Sequence, residues 1–247
     1  MIIDRMEFIG IDGCRSGWFC LELGPGAVWQ FQVISASDEI VKLAVKAKLV
    51  LIDISIGLVD SGTEERLCDK EARRVLGAPR AASVFPVPAR ASLDATSYEQ
   101  ALALNRKLTG RGLTKQAWNI APKIREIDQL MRSHSELQKK LKECHPEVCF
   151  WALNRGVPMT HSKKTTEGRE ERLSVLSCYL PQVWEMFDGA AEAFLRKEVA
   201  LDDILDALVA AVTAKMAYQK LQSLPQDPPI DEYGLAMEII YAGISLR

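Results

Sequence analysis

Residues 8–12 (Phe-Ile-Gly-Ile-Asp) form a short apolar run closed by a carboxylate, and two further apolar stretches follow at 17–23 and 27–33 with Gly24-Pro25-Gly26 between them. Runs of this length punctuated by Gly and Pro predict an antiparallel meander of three strands. Residues 38–48 change to helical spacing, with Ile40, Leu43, Ala44 and Ala47 on one face and Ser37 or Asp38 as N-cap. Residues 48–53 are apolar from Leu49 to Ile52 and end at Asp53, the pattern of a parallel strand buried on both faces. The order β-β-β-α-β thus predicts an α/β protein.

The middle of the chain has a different character. Residues 64–76 read as a helix stopped by Gly77-Ala78-Pro79, residues 80–95 contain Pro86 and Pro88 and read as an ordered loop, and residues 97–108 and 116–133 read as helices separated by Gly110 and Gly112. Residues 60–140 are therefore expected to be a mostly helical insertion above the sheet edge, within a single domain spanning 1–247. Residues 141–145 fit a last parallel strand ending at Pro146-Glu147, with a helix from 148 to 153. Beyond a polar loop through Ser162, helices are expected at 167–179, 183–198 and 201–221, then a Pro-rich stretch and an edge strand at 238–241.

Composition narrows the classes. With 247 residues, 48% of them hydrophobic, the chain can bury a full core. Its net charge of −2 argues against a protein that coats nucleic acid unaided, yet residues 64–142 hold 16 Lys+Arg against 9 Asp+Glu, a net of +7. A basic middle between acidic flanks suits a polyanion held by one part and cut by another, and it equally fits solvated helix faces. No apolar run reaches the roughly 18 residues that suggest a membrane span, and residues 1–7 lack a signal peptide's basic start and apolar middle, so a cytoplasmic protein without a membrane partner is expected. Six cysteines without a Cys-x-x-Cys pair read as reduced packing thiols rather than a zinc site.

Candidate chemistry lies in five carboxylates. Asp12 sits between glycines that leave room for a ligand. Asp53 ends an apolar strand without a hairpin turn after it, and Glu147 follows the last parallel strand. Asp203 and Asp206, spaced i, i+3, share one face of a helix whose Ala207, Ala210, Ala211 and Ala214 permit close packing on the sheet. Asp before Gly also serves turns, and acids in a first helical turn also complement the dipole. Several acids converging at strand ends are costly without a cation, and an all-oxygen set suits Mg²⁺ or Mn²⁺.

The phrases Gly10-Ile11-Asp12-Gly13-Cys14-Arg15-Ser16-Gly17-Trp18, Cys68-Asp69-Lys70-Glu71-Ala72-Arg73, Ser83-Val84-Phe85-Pro86-Val87-Pro88, Trp118-Asn119-Ile120-Ala121-Pro122-Lys123-Ile124, His145-Pro146-Glu147-Val148-Cys149-Phe150, Ser162-Lys163-Lys164-Thr165 with Gly168-Arg169, and Asp203-Ile204-Leu205-Asp206-Ala207 carry a resemblance. Over nearly the whole chain it resembles the family of uncharacterised proteins described as predicted RNase H-like nucleases, a domain of unknown function. The resemblance implies a mixed five-stranded sheet of order 3-2-1-4-5, flanked by helices, with the helical insertion between strands 4 and 5. The acids are similar in arrangement to those of Holliday-junction resolvases, with an Asp on the first strand, an acid after the fourth and Asp-x-x-Asp-Ala on the last helix. This maps onto Asp12, Asp53, Asp203 and Asp206. The chain departs from the resolvases in having Asp53 where they usually carry Glu, and in its additional Glu147.

Among the basic and polar residues, Lys163, Lys164 and Arg169 lie at a helix start, where N–H groups and cations favour phosphate. Arg80, Arg90, Gln116, Asn119 and Lys123 belong to the insertion and are candidates to read a substrate, and His145 is a candidate acid or base. Together these readings predict a metal-dependent nuclease or phosphodiesterase acting on DNA or RNA through two metal ions. The rivals are a Mg-nucleotide-dependent small-molecule phosphotransferase and a non-catalytic binding protein that keeps the fold.

Overall fold

The computed structural model describes residues 6–243. Residues 1–5, most of the stretch expected to lack a secretory leader, lie outside them. Strands β1 (Phe8–Cys14), β2 (Gly17–Leu23) and β3 (Trp29–Ile34) form the meander, helix α1 (Ser37–Lys46) crosses over, and β4 (Leu49–Ile52) returns beside β1. Helices α2 (Leu67–Leu76), α3 (Tyr98–Thr109) and α4 (Lys115–Ser133) make the insertion before β5 (Leu141–Glu143). The sheet order is β3-β2-β1-β4-β5, antiparallel among the first three and parallel for β1-β4 and β4-β5. This is the expected mixed sheet of RNase H-like order. Helices α5 (Pro146–Leu153), α6 (Thr166–Ser177), α7 (Val183–Ala193) and α8 (Leu201–Ala217) follow.

Alternation along the strands sorts two cores. Phe8, Leu49 and Leu51 pack with α5 to α8 on one face, while Ile9, Ile11, Val50 and Ile52 pack with α1 and α4 on the other. Gly10 belongs to the α8 face, where a Cβ would stand 2.0 Å from the Ala207 carbonyl oxygen and 2.3 Å from the Ala211 nitrogen. Helix α8 therefore lies with its backbone directly on β1, as its small residues allow.

Several expectations are corrected. Helix α1 starts after Ala36, and the Ser37 N–H is satisfied by Glu126 of α4 at 2.9 Å rather than by a local cap. Helix α5 begins at Pro146, so Glu147 stands in a helical first turn. Helix α7 ends at Ala193, short of 198, and α8 ends at Ala217. Residues 221–224 then form β6 (Leu221–Leu224), which pairs with β7 (Ile239–Ala242) in a separate antiparallel sheet. The expected edge strand thus joins β6, and a Cys144–Ile240 bridge links it to the end of β5 in the main sheet.

Candidate metal centre

Register performs the first step of assembly. Ile11 lies opposite Ile52, and Ile52 opposite Glu143, so Asp12, Asp53 and the Cys144-His145 pair leave the same sheet edge side by side. The Asp53 N–H still donates to the Ile11 oxygen and the Cys144 N–H to the Ile52 oxygen, both at 2.9 Å. With a period of two, Asp12 and Asp53 share the face of Gly10 and Leu51, which is the α8 face. The close seat of α8 on Gly10 brings Asp206, the residue before Ala207, to the same point. One carboxylate oxygen from each of Asp12, Asp53 and Asp206 lies within 4.8 Å of the others.

The three acids disturb one another as crowded carboxylates must. Burial raises Asp12 well above the usual carboxylate range, and Asp53, Asp206 and Asp203 add to it. Asp53 is raised in the same way, by burial and then by Asp206. Asp206 is raised by burial although Lys163 pulls it down. Among the described residues Lys163 is the one cation hydrogen-bonded to this group: its ammonium donates to Asp206 Oδ2. Burial disfavours the Lys163 charge, but Asp206 and Asp12 more than offset this and hold it protonated. The other oxygen of Asp206, Oδ1, is buried without a hydrogen-bond partner among the described residues.

Lys163 is presented by a tightly packed loop. Thr165 caps α6 by accepting from the Gly168 N–H at 3.1 Å, and a Cβ on Gly168 would stand 1.9 Å from the Ser162 oxygen. Arg172, fully buried, donates to the His161 oxygen (2.9 Å), the Gly168 oxygen (2.8 Å) and Glu147 Oε1 (2.6 Å). It pins the loop to α5, leaving Glu147 Oε2 buried and without a hydrogen-bond partner among the described residues. Asp203 uses one oxygen to accept from the Ala200 N–H at 2.8 Å, and burial pushes its pKa up to about 6. Asp203 acts electrostatically on Asp12, and Glu147 on Asp53 and Asp206, while the cluster that closes is Asp12, Asp53 and Asp206.

Beside Asp53 opens a cavity of about 250 Å³ to which His145, Glu147, Lys163 and Gln116 also contribute. Burial lowers the His145 pKa to about 4, so its ring is neutral near pH 7. Lys123 lies close to the centre, its ammonium over the Trp18 ring at 4.1 Å and donating to the Gly17 oxygen at 2.5 Å. The remaining candidates are placed elsewhere. Arg90 is held by Asp60 (2.7 Å), Asp128 (3.2 Å) and Asp231, and faces Tyr233, so it ties the insertion to the C-terminal segment instead of facing a substrate. Arg80 donates to the His161 oxygen at 3.4 Å, and Arg169 to the Lys164 oxygen at 3.1 Å, so both brace the loop. Asn119 and Lys164 are exposed and do not line the cavity.

Two buried arginines escape sequence reasoning. One is Arg172, and the other is Arg66, which pairs with Asp69 (3.3 Å) and Glu143 and donates to the Ile56 oxygen at 3.0 Å. Glu143, raised by burial to about 7 despite Arg66, also accepts from the Ile56 N–H at 2.8 Å. The available signal is an acid at the end of the Leu-Lys-Glu strand, which calls for a buried partner. All six cysteines are free; Cys14, Cys20, Cys68, Cys144 and Cys149 are buried as packing thiols are, whereas Cys178 is exposed.

Sheet order and acidic cluster define the class, an α/β protein of RNase H-like topology with three carboxylates gathered at the strand ends. A family model described as "Protein of unknown function (DUF429)" matches residues 10–230, and the chain belongs to that family. No curated protein and no solved structure matches it. No helix among the described residues is long and apolar enough to cross a membrane.

Proposed function

We propose that the protein is a metal-dependent nuclease or phosphodiesterase acting on nucleic acid. The observation that carries this reading is the convergence of Asp12, Asp53 and Asp206, one oxygen each within 4.8 Å, in buried surroundings that raise all three pKa values. The donor set fits Mg²⁺ or Mn²⁺: it is all oxygen, it is anionic, and Asp206 Oδ1 is a buried acceptor with no donor among the described residues. A divalent ion held there supplies Lewis-acid polarisation of a phosphoryl oxygen and a nucleophile at neutral pH. Asp203 commits one oxygen within the protein, to the Ala200 N–H, and keeps the other for a second ion.

The chain's own groups have separate tasks. Lys163 holds a positive charge against Asp206 at the cavity wall, where a phosphate entering the site gains a cation already desolvated. Lys123 adds a second cation on the opposite side of the Asp12 strand end. His145, neutral near pH 7, can accept a proton at the Nδ1 that has no hydrogen-bond partner among the described residues.

The test is a cleavage assay with and without Mn²⁺ on branched, single-stranded and duplex DNA and RNA. Metal-dependent cleavage that disappears in Asp12→Asn and Asp206→Asn is expected. Absence of cleavage of every substrate, with a melting temperature indifferent to Mn²⁺ and Mg²⁺, defeats the reading.

A further inference from the structure

We infer that the cavity beside the carboxylate centre is a subsite for one unstacked nucleobase carrying an exocyclic amine, so that the substrate is a single strand, a frayed end or a nucleotide-sized phosphodiester and not uninterrupted duplex. The inference rests on the phosphodiesterase reading of the centre and names its substrate class. Position is the first argument. The cavity shares Asp53 and Lys163 with the centre, so whatever fills it belongs to the same ligand as the group held there. Size is the second. At about 250 Å³ it falls below the roughly 300–1,000 Å³ of pockets for drug-sized ligands and has room for a nucleobase.

The walls supply the chemistry. Val84, Phe85 and Ile120 of the insertion give an apolar side with one aromatic ring, the surface on which a base stacks whatever its sequence. The lining also includes Asp69 and Glu147, 3% and 5% exposed, each with one buried carboxylate oxygen that has no hydrogen-bond partner among the described residues. Ionised carboxylates only accept, so they match the amino groups of cytosine, adenine and guanine and repel the O4 of uracil and thymine. A base extracted from its stack is read in this way, between apolar faces and by hydrogen bonds along its edge.

Nucleosides test the subsite without involving the metal or a phosphate. Ligand-observed NMR on the full chain in chelator is expected to detect cytidine, adenosine and guanosine about tenfold tighter than uridine or thymidine, as one matched hydrogen-bonded edge implies, and not to detect ribose. Ile120→Trp, which fills the cavity, and Phe85→Ala, which removes the ring should the larger residue prevent folding, are both expected to weaken binding at least about tenfold while the Mn²⁺-induced thermal shift persists. Asp12→Asn is expected to do the reverse, losing the shift and keeping the nucleosides. Equal affinity for all nucleosides and ribose, or binding unchanged in both cavity variants, overturns the subsite. Metal-dependent cleavage of bis(p-nitrophenyl) phosphate with no nucleoside binding overturns the subsite alone, whereas selective nucleoside binding without metal-dependent cleavage of any substrate overturns the nuclease reading alone.

Discussion

Asp12 is unfavourable in the metal-free protein for two reasons that act together: it is 8% exposed, and it faces Asp53 and Asp206. Asp12→Asn keeps the shape and removes the charge. In chelator it is expected to raise the melting temperature, by about 2–4 °C for each kcal/mol of repulsion relieved, and to abolish most of the upward shift that Mn²⁺ gives the wild type. Thermal melts with and without Mn²⁺ check this, and an undiminished Mn²⁺ shift in the variant removes Asp12 from the centre. Glu147 and Arg172 pose the opposite problem, since each is buried and each carries its charge against the other. Arg172→Met strands an acid and releases the loop that carries Lys163, at a cost of about 3–5 kcal/mol. Adding Glu147→Gln is expected to restore much of that loss, read as denaturant midpoints in a double-mutant cycle.

The elements meet where backbone touches backbone. Gly10→Ala places a methyl against Ala207 and Ala211 of α8, a clash that relaxes only by lifting the helix from β1. A loss of about 1–3 kcal/mol or more is expected, with a weaker Mn²⁺ shift because Asp206 moves with α8. Gly112→Ala is the control, since its Cβ meets nothing within 4 Å. The parallel strands and their terminal aspartates were legible because a strand buried on both faces must be apolar until it emerges, and β4 is Leu-Val-Leu-Ile followed by Asp. The Asp203/Asp206 helix was legible from its run of alanines. In sequence Glu147 looks like the end of a strand, whereas Pro146 at the helix start makes it a helical residue. Strand β6 was hidden because Leu-Gln-Ser-Leu follows α8 with no Gly or Pro between them. Arg66, Arg90 and Arg172 were illegible or misassigned for a common reason: an arginine whose carboxylate partners are distant in sequence looks like a solvated one until the fold unites them.

At the scale of the whole molecule the same pairing reduces the basic excess of the insertion, because Arg66, Arg90 and Lys142 pair with acids outside residues 64–142: Glu143, Asp60 with Asp231, and Glu238. The acidic centre therefore leaves its own mark on stability. Asp12, Asp53 and Asp206 are raised above their ordinary values in the folded chain, and Asp203 rises from 3.8 to about 6. The folded state thus holds protons that the unfolded chain releases, and the slope of unfolding free energy against pH from these groups is negative. Their contribution is fully present below the ordinary carboxylate range and is lost as pH rises through the folded values, for Asp203 between 3.8 and about 6. Groups elsewhere act in the other direction, Glu171 among them, whose backbone hydrogen bonds to Thr160 and His161 outweigh the effect of its burial and lower it. The centre is isolated by difference. In chelator, the melting temperature of Asp12→Asn minus that of the wild type is expected to widen as pH rises from about 4 towards neutrality, where the wild-type acids carry their charge. Mn²⁺ binds the ionised carboxylates, so its stabilisation of the wild type is expected to grow over the same range. A difference between the two proteins that stays constant with pH would mean that the acids do not repel one another in the folded chain.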